Sequence, residues 1–401
     1  MNDRRYRILI VITHPVQYIA PTLRILAQRP DIDLVVAYCS LLGSESTFDP
    51  DFGVKVAWDV PVLEGYPWVH APNISPQAGL GGFFDLVNPG LWKIIRTGKF
   101  DAIINLTSYM YASFWIVVTA TKVQRVPLLL GIDATQIEPL DGKKWKLGVK
   151  KLLWPRLFRL ADVMIVPSSG GVHLMRSIGI KAERVVRTTH SVDNSWWIDQ
   201  ASRVNRSIVR AHWDIPNSAE VILFCGKLQS WKRPQDALRA FARSKVEGSY
   251  LVFAGDGPLR AALEAETCAL GLSSAVRFLG FVNQSRLPEV YCASDVLVLP
   301  SEYEAFGLVV NEAMLCGCPV IVSDRVGARL DLVQNGTTGF VFPVHNLDML
   351  AARMREVLST PGRLQQMSNA ARARMKEWSP ENNAEGLVCA VEKAVSIRRY
   401  S

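Results

Sequence analysis

Two glutamates and a glycine follow a short apolar run in the second half of the chain. Glu304 and Glu312 are eight positions apart, Gly307 lies between them, and the apolar run is Val296–Leu299. The run predicts a buried strand, and the composition of Leu308–Cys316 predicts a helix that begins directly after the glycine. The free N–H groups and the dipole at a helix start attract an anion, and glycine lets the backbone approach it closely. We therefore expect a phosphate group at this turn.

The two carboxylates predict hydroxyl groups on both sides of that phosphate. An ionised carboxylate only accepts hydrogen bonds, so a pair of adjacent hydroxyls is its natural partner. Glu312, on the helix, is placed to bind a ribose diol, and Glu304, in the loop, to bind hydroxyls of a sugar. The alternative is a purely structural pair, but the neighbours Val309, Val310 and Ala313 would then bury an unpaired charge at a cost. The pattern favours a sugar nucleotide.

A basic turn earlier in the chain provides the cations that such an anion needs. The sequence GKLQSWKRP begins at Gly226, directly after the apolar run Val221–Cys225. Lys227 and Lys232 in this turn are suited to neutralise a diphosphate as point charges.

Short β-branched runs alternate with amphipathic segments over almost the whole of the 401-residue chain. Repeated strand–helix units of this kind predict parallel sheets with both faces covered. The predicted strands are Ile8–Ile12, Leu34–Cys39, Ala102–Asn105, Pro127–Gly131, Val163–Pro167, Arg184–Thr188, Val221–Cys225, Tyr250–Ala254, Val276–Gly280, Val296–Leu299, Pro319–Ser323 and Gly339–Phe342. We predict an α/β protein with two doubly wound, Rossmann-like domains facing a cleft, and ligands at the carboxyl ends of the strands. The polar interval 193–220 is interpreted as the hinge, which gives domains over residues 1–195 and 196–380 and a last helix within 381–401.

Composition restricts the class of protein and its partners. The chain has 49% hydrophobic and 20% charged residues, which is typical of a globular protein, and its net charge of +8 favours acidic partners. We expect nucleotides and an anionic membrane surface among these partners, but no nucleic acid. No apolar stretch reaches the roughly 18 residues of a membrane span, and the seven cysteines lack metal or redox spacing. We expect a cytoplasmic protein, placed peripherally on the inner face of the cell membrane if it binds lipid, and no metal site.

The motifs together resemble a known family. The sequence EAFGLVVNEAMLCGCPVI, which begins at Glu304, is similar to the Glu-x7-Glu signature of retaining nucleotide-sugar glycosyltransferases of family 4, which have the two-domain GT-B fold. The Gly226–Lys232 turn resembles that family's phosphate-binding turn, with lysine at position 227 where the family usually has arginine. Further matching motifs continue in the same order over residues 215–375.

This resemblance implies an activity and a set of roles. A hexosyl group would pass from a nucleoside-diphosphate sugar, with UDP favoured over GDP, to a glycan or lipid-linked saccharide, without a metal ion or other cofactor. Glu304 would bind the donor sugar, Glu312 the ribose, and Lys227 and Lys232 the diphosphate. The other implied donor-binding residues are Gly226, Phe281, Phe306, Gly307 and Leu308. The helix within 381–401 would cross back to the first domain, which would be the acceptor side.

Two other classes of function stay open at this point. One is a sugar-nucleotide epimerase or a phosphorylase with the same fold. The other is a nucleotide-binding or glycan-binding protein without catalysis.

Candidate residues are fewer in the first half of the chain. The sequence THPVQY, residues 13–18, follows the first predicted strand and resembles the opening of a subgroup of the same family. His14, Gln17 and Tyr18 would contact the acceptor or the donor sugar, although a histidine before a proline also serves to stabilise loops. Asp133 occupies the place where many family members have a histidine, and we assign it that polar role.

A basic segment suggests a membrane contact. Residues 143–159 include seven lysines and arginines and no acidic residue, and on a helix Leu147 and Trp154 are predicted to lie within the cationic face. A helix of this kind binds anionic lipid headgroups, and the alternative is a solvated face of an ordinary crossover helix with Trp154 simply packed.

Overall fold

The long apolar runs of the sequence form two parallel sheets. The computed structural model describes residues 5–44, 47–49, 54–56, 58–76, 79–138, 143–360 and 362–399. Strands such as Val221–Cys225 and Val296–Leu299 are buried along their whole length, which explains why they lack an alternating polar pattern.

The elements are numbered here in chain order. Those of the first 190 residues are β1 Tyr6–Ile12, α1 Ala20–Gln28, β2 Ile32–Tyr38, β3 Thr47–Asp49, β4 Val54–Val56, β5 Trp68–His70, α2 Gly90–Thr97, β6 Ala102–Asn105, α3 Ala112–Val123, β7 Leu128–Gly131, α4 Lys144–Phe158, β8 Val163–Val166, α5 Ser169–Ser177 and β9 Val185–Arg187. The later ones are α6 Asn194–Ser202, α7 Arg206–His212, β10 Val221–Cys225, α8 Pro234–Ser244, β11 Tyr250–Ala254, α9 Arg260–Ala269, β12 Val276–Gly280, α10 Leu287–Ala293, β13 Val296–Leu299, α11 Val309–Leu315, β14 Val320–Ser323, β15 Gly339–Phe342, α12 Leu347–Leu358, α13 Arg363–Arg374 and α14 Pro380–Arg399.

The chain divides into two units, each with its own sheet. The first unit comprises residues 1–46, 61–190 and 380–401, and the second comprises 47–60 and 191–379. The first sheet has the strand order β5-β2-β1-β6-β7-β8-β9, and the second has the order β12-β11-β10-β13-β14-β15. All pairings within both sheets are parallel, so the predicted doubly wound α/β fold is confirmed.

Each sheet has a switch point where the chain changes its direction of winding. In the first unit it lies between β1 and β6, and in the second between β10 and β13. Loops that leave neighbouring strands on opposite sides at such a point form a crevice that binds ligands. Most of the predicted site residues follow these four strands or their neighbours, and Phe281 follows β12 at the edge of the second sheet.

The interval 193–220 is not the pattern-poor hinge that we predicted from its polar sequence. It contains α6 and α7, whose first turns are capped by the side chains of Asp193 and Asn205. Arg210 of α7 is fully buried, and its guanidinium donates to Asp295 at 2.7 Å and to the carbonyl oxygen of Ala293 at 2.9 Å. The polar residues of this interval therefore serve as helix caps and as a buried anchor in the second unit.

One further feature was not predicted. The antiparallel pair β3 and β4 belongs to residues 47–60, which the structure groups with the second unit; Asp59 there accepts a hydrogen bond from the Ser285 N–H at 3.1 Å. Helix α14 belongs to the first unit, as the resemblance implied for the last helix, and Ala384, Leu387 and Val391 pack in the same core as β1. Residues 400 and 401 of the predicted terminal segment lie outside the described residues. Of the helices that the structure describes, none has the length and apolar character that crossing a membrane requires.

Candidate active site

The two turns singled out in the sequence lie side by side in the second unit. Residues 226–233 follow β10 and residues 300–308 follow β13, and these strands pair directly, with Ile222 opposite Val296. Because both turns leave the carboxyl ends of neighbouring parallel strands, they meet at the switch point of the sheet. The Glu302 N–H donates to the Trp231 carbonyl oxygen at 2.7 Å, which joins one turn to the other.

Lys232 and Glu304 form an ion pair at this switch point, which is called the ionic centre below. The Lys232 Nζ lies 2.5 Å from Glu304 Oε1, and the Ser301 hydroxyl donates to the same oxygen at 3.0 Å. Both charged side chains are less than one-fifth exposed, so water screens their interaction only in part. The structure thus brings together a predicted diphosphate cation and the predicted sugar-binding carboxylate.

The loop that contains Glu304 is held in place by the segment that follows β14. The Glu304 N–H donates to the Arg325 carbonyl oxygen at 3.2 Å, and the Gly327 N–H donates to the Glu304 carbonyl oxygen at 3.0 Å. A Cβ atom at position 327 would lie 2.0 Å from the Ala305 carbonyl oxygen, so only glycine permits this approach. The carboxylate therefore extends from a fixed backbone.

Gly307 has a structural role that is separate from any ligand. Its φ of +96° is one that side-chain-bearing residues rarely adopt, and it turns the chain into α11. That helix begins at Val309, one residue later than predicted. The Phe306 ring is buried and stacks on Trp378 with ring centroids 5.6 Å apart, so a ligand would meet the backbone here and not the ring. Leu308 is half-buried at the start of the helix.

Glu312 faces the protein interior and does not extend into open water. Its Oε2 accepts a hydrogen bond from the Tyr291 hydroxyl at 2.7 Å, and burial raises the pKa of this carboxyl to about 7, against the opposing effect of that hydrogen bond. Tyr291 is itself fully buried and packs against Trp197 with ring centroids 5.8 Å apart. Nothing in the sequence pointed to Tyr291, because α10 brings it to Glu312 from 21 positions away.

The remaining predicted donor residues lie along the same edge of the sheet. Gly226 has a φ of +143°, and its carbonyl oxygen would be 2.0 Å from a Cβ atom at Gly255, so two backbones cross here without side chains. Lys227 is half-buried directly after this crossing. Phe281 follows β12, which is two strands from β10, and is half-buried. Over the part of the chain that is described, no group of three or more His, Cys, Asp or Glu side chains is arranged to hold a metal ion.

A second candidate site is a cavity of about 500 Å³ in the first unit. It lies at the carboxyl ends of β1, β6, β7 and β9, and the walls include three of the four residues predicted in this half: His14, Tyr18 and Asp133. Gln17 does not line the cavity. The volume is within the range of about 300–1,000 Å³ that is usual for small-molecule sites.

Three polar side chains of this cavity interact with one another, namely the predicted Tyr18 and Asp133 and, in addition, His190. The rings of Tyr18 and His190 meet edge to face with centroids 5.4 Å apart. Burial lowers the pKa of His190, whereas the charge of Asp133 acts in the opposite direction, and burial together with Asp133 raises the pKa of Tyr18. Burial also lowers the pKa of His14, whose Nδ1 has no hydrogen-bond partner among the described residues. No separate feature of the sequence pointed to His190, which follows β9 at one edge of the first unit's sheet.

The basic helix α4 forms one wall of the cavity, and this corrects the predicted arrangement of its faces. Trp154 is only 3% exposed and lines the cavity, as in the alternative that had it packed, whereas the membrane interpretation placed it in the cationic face. The reason is packing: the Trp154 ring lies against Phe158 and its Nε1 donates to the Tyr109 hydroxyl at 3.1 Å. The apolar residues that α4 does expose are Trp145, Val149, Leu152 and Leu153.

The chain is similar to glycosyltransferases in sequence. A family model described as glycosyl transferases group 1 matches residues 205–374, which include the whole ionic centre of the second unit. A glycosyltransferase of Methanocaldococcus jannaschii that has not been characterised is 34% identical over 301 residues, which cover 74% of this chain and 76% of that relative. The chain belongs to the group 1 glycosyltransferase family.

Other glycosyltransferases match this one over different lengths. A D-inositol 3-phosphate glycosyltransferase of Rhodococcus jostii is 33% identical over 193 residues, which are 46% of this chain and only 42% of the relative. The Anabaena protein HepE, solved in complex with UDP and glucose, is 19% identical and superposes with a TM-score of 0.71 over 97% of this chain and 100% of its own. This likeness in structure confirms the GT-B fold that the motifs implied.

Proposed function

We propose that this glycosyltransferase moves a hexosyl group, with retention, from a nucleoside-diphosphate sugar to an acceptor hydroxyl. The observation that carries the proposal is the contact between Lys232 and Glu304 at the switch point of the second sheet. A cation beside a carboxylate at this place fits a ligand with a diphosphate next to sugar hydroxyls. The spacing of Glu304 and Glu312 and their motif support our proposal that the enzyme belongs to family 4 of the retaining group.

The charges fit the roles that such a reaction needs. When the bond from the anomeric carbon to the diphosphate oxygen breaks, negative charge develops on the leaving phosphate. Lys232 and Lys227 would stabilise that charge, and fixed groups of this kind are worth about 10²–10³ in rate each. Glu304 would hold the sugar while Glu312, beside Tyr291, would accept hydrogen bonds from the ribose.

The donor that we favour is a UDP-sugar. The second unit has the fold of HepE, whose structure contains UDP and glucose, and this supports UDP over GDP for the present chain. We also propose that transfer needs no metal ion or other cofactor, because lysines are placed to neutralise the diphosphate. Transfer that continues at the same rate in excess EDTA is the expected result, and loss that added Mg²⁺ or Mn²⁺ restores would contradict this part.

Substitution of Glu304 separates a transferase from the alternatives. We expect Glu304→Ala to reduce transfer at least about 100-fold. UDP should still bind, because the diphosphate contact of Lys232 is retained and its competing carboxylate is gone. The matched control is Glu302→Ala in the same loop, whose carboxylate pairs with Arg233 at 3.3 Å on the surface. Unchanged transfer in Glu304→Ala would contradict the role proposed for Glu304, whereas a wild type that binds UDP but transfers no sugar would leave an epimerase, a phosphorylase or a binding protein without catalysis.

For the acceptor we propose a glycan or lipid-linked saccharide that binds in the cavity of the first unit. We further propose that α4 holds the enzyme at the cytoplasmic face of an anionic membrane. The support is that its exposed surface combines Trp145, Val149, Leu152 and Leu153 with lysines and no acidic residue.

The membrane contact is tested by sedimentation with vesicles. Wild-type protein should sediment with vesicles of phosphatidylglycerol and phosphatidylcholine at low salt and not with phosphatidylcholine alone. Lys144→Glu/Lys151→Glu should abolish sedimentation, whereas the control Lys245→Glu/Lys376→Glu, which reverses two exposed charges of the second unit, should not. Absence of wild-type sedimentation at low salt would reject the membrane contact.

A further inference from the structure

The cavity of the first unit has walls of two chemical kinds. Its polar residues follow the strands of the sheet and include Thr13, His14, Asp133 and His190. The wall formed by helices α3 and α4 is aromatic and consists of Phe114, Trp154 and Phe158, each of which is at most 4% exposed. An occupant that satisfies both walls has a polar part and an apolar part.

Apolar surface continues from the cavity wall to the outside of the first unit. Leu80 lines the cavity and is 40% exposed, and the Tyr111 hydroxyl donates to its carbonyl oxygen at 2.8 Å. Phe83 and Phe84, in the same loop, are 43% and 71% exposed and pack against each other with ring centroids 5.0 Å apart. Met110, next to Tyr111, is 54% exposed.

Helix α4 connects the cavity to the surface in the same way. Trp154 lines the cavity, and the preceding Leu153 and Leu152 are 38% and 63% exposed. Two separate segments, the loop that contains Leu80 and helix α4, thus each pass from buried cavity wall to exposed apolar surface. Large contiguous patches of exposed apolar residues are typical of surfaces that bind a ligand, a membrane or another protein.

The apolar wall favours some kinds of occupant over others. A free saccharide has hydroxyl groups around the edge of its ring, and each hydroxyl that faces the aromatic wall is left without a partner at a cost. A hydrocarbon chain meets the same wall at a gain of about 0.8 kcal/mol for each methylene that is removed from water.

We propose that this cavity binds the hydrocarbon part of an amphiphilic acceptor, with the acceptor's polar end against His14, Asp133 and His190. The Asp133 carboxylate accepts a hydrogen bond from an acceptor hydroxyl, and the unpaired Nδ1 of His14 is a second polar contact. The inference rests on the proposed function in one respect, namely that the occupant is the acceptor of sugar transfer. Its binding chemistry is independent of the donor site.

Alkyl glucosides below their micelle concentrations test the hydrocarbon site. Calorimetric titration of the wild-type protein with hexyl, octyl and decyl β-D-glucopyranoside should give an affinity that rises about fourfold for each methylene that is buried, the equivalent of about 0.8 kcal/mol. D-glucose itself should bind far more weakly than the decyl compound. Equal affinities along the series, or tighter binding of a saccharide without an alkyl chain, would overturn the proposal.

A pair of matched variants assigns the binding to this cavity. Ala134 lines the cavity and is half-buried, whereas Ala182 is exposed in the same unit and does not line it. Ala134→Phe should lower the affinity for decyl glucoside at least tenfold, and Ala182→Phe should leave it unchanged. Equal effects of the two substitutions would place the alkyl chain elsewhere and refute the assignment.

UDP binding by the same variants separates this inference from the proposed function. The donor residues belong to the second unit, so Ala134→Phe that is correctly folded should retain the affinity of the wild type for UDP. Decyl glucoside binding without UDP binding would support the hydrocarbon site and contradict the donor assignment. UDP binding together with alkyl glucoside affinities that do not depend on chain length would support the donor assignment and contradict the hydrocarbon site.

Discussion

The two sheets of this glycosyltransferase place very different surfaces at their carboxyl ends. In the second unit, charged side chains from two short turns meet at a fixed distance, with Lys232 and Glu304 in direct contact. In the first unit, a cavity of about 500 Å³ is lined by residues that range along the chain from Ile10 to Leu387. Neutralising a phosphate requires a few charges at one point, whereas burying an apolar group requires area, which many elements must share.

Removal of the Lys232 charge should give the largest effect on the second unit's site. We expect Lys232→Ala to reduce transfer about 10²–10³-fold, because the leaving diphosphate would lose a preorganised cation. Decyl glucoside binding should be unchanged, because the site that we propose for it lies in the first unit. The measurements are initial rates of transfer and calorimetric affinities for UDP and decyl glucoside.

The control for that variant is Lys376→Ala, which removes an exposed lysine of the same unit. It should have wild-type rates and affinities. Equal transfer by Lys232→Ala and Lys376→Ala would remove the distinction between a charged donor site and an apolar acceptor site.

Two Gly→Ala substitutions, one in each unit, test how much space the backbone leaves for a side chain in the two regions. Gly255→Ala should lower the free energy of unfolding by at least about 1–3 kcal/mol and weaken UDP binding, since its φ is +144° and its Cβ would meet the Gly226 carbonyl oxygen. Gly148→Ala in α4 has no atom within 4 Å of the new Cβ and should raise that free energy by about 0.5–1 kcal/mol. Chemical denaturation measures both changes. Similar effects of the two substitutions would contradict the close approach of the Gly226 and Gly255 backbones at the proposed donor site.

The ionisation of Glu312 gives a smaller effect, which is specific to the second unit. Burial raises the pKa of this carboxyl from 4.5 to about 7, so the folded protein favours the protonated form and the group lowers the free energy of unfolding as the pH rises from 4.5 towards 7. Only the ionised form is a full acceptor for a ribose diol. Affinity for UDP-glucose should therefore rise severalfold between pH 6 and pH 8.

UDP-glucose is the suitable ligand for this titration because its diphosphate does not change charge in that range. Glu312→Gln should bind more weakly at pH 8 and show no such pH dependence. A rise that persists in the Gln variant would show that another group is responsible.

The contrast between the two regions also explains what the sequence could reveal. The predicted donor residues occur in contiguous motifs beside apolar strands, and strands such as Val221–Cys225 and Val296–Leu299 have the predicted bounds. Strand ends that are neighbours in a parallel sheet bring their turns together, so local patterns were enough to associate Lys232 with Glu304. The role of Tyr291 was missed because its contact with Glu312 depends on how α10 packs.

In the first unit, the prediction depended on long-range packing and was less complete. Asp133 and Tyr18 were identified from motifs, but His190 joins them only through the register of β9 in the sheet. The sequence left open whether Trp154 lies in a cationic surface or is packed, because helical spacing alone does not say which face is covered. The polar interval 193–220 was taken for a hinge because caps and a buried arginine have the composition of a linker.

The most direct test of the central assignment is a thermal-shift measurement with UDP, GDP and ADP on the wild type and on Lys227→Ala/Lys232→Ala. We expect one of these diphosphates, with UDP the favoured one, to raise the Tm of the wild type, since a ligand at one hundred times its Kd adds about 2.7 kcal/mol to the stability of the folded state. The double variant should lose that shift while keeping its own cooperative transition. A wild type that none of the three stabilises, or a double variant that responds as the wild type does, would contradict a diphosphate site built on these lysines.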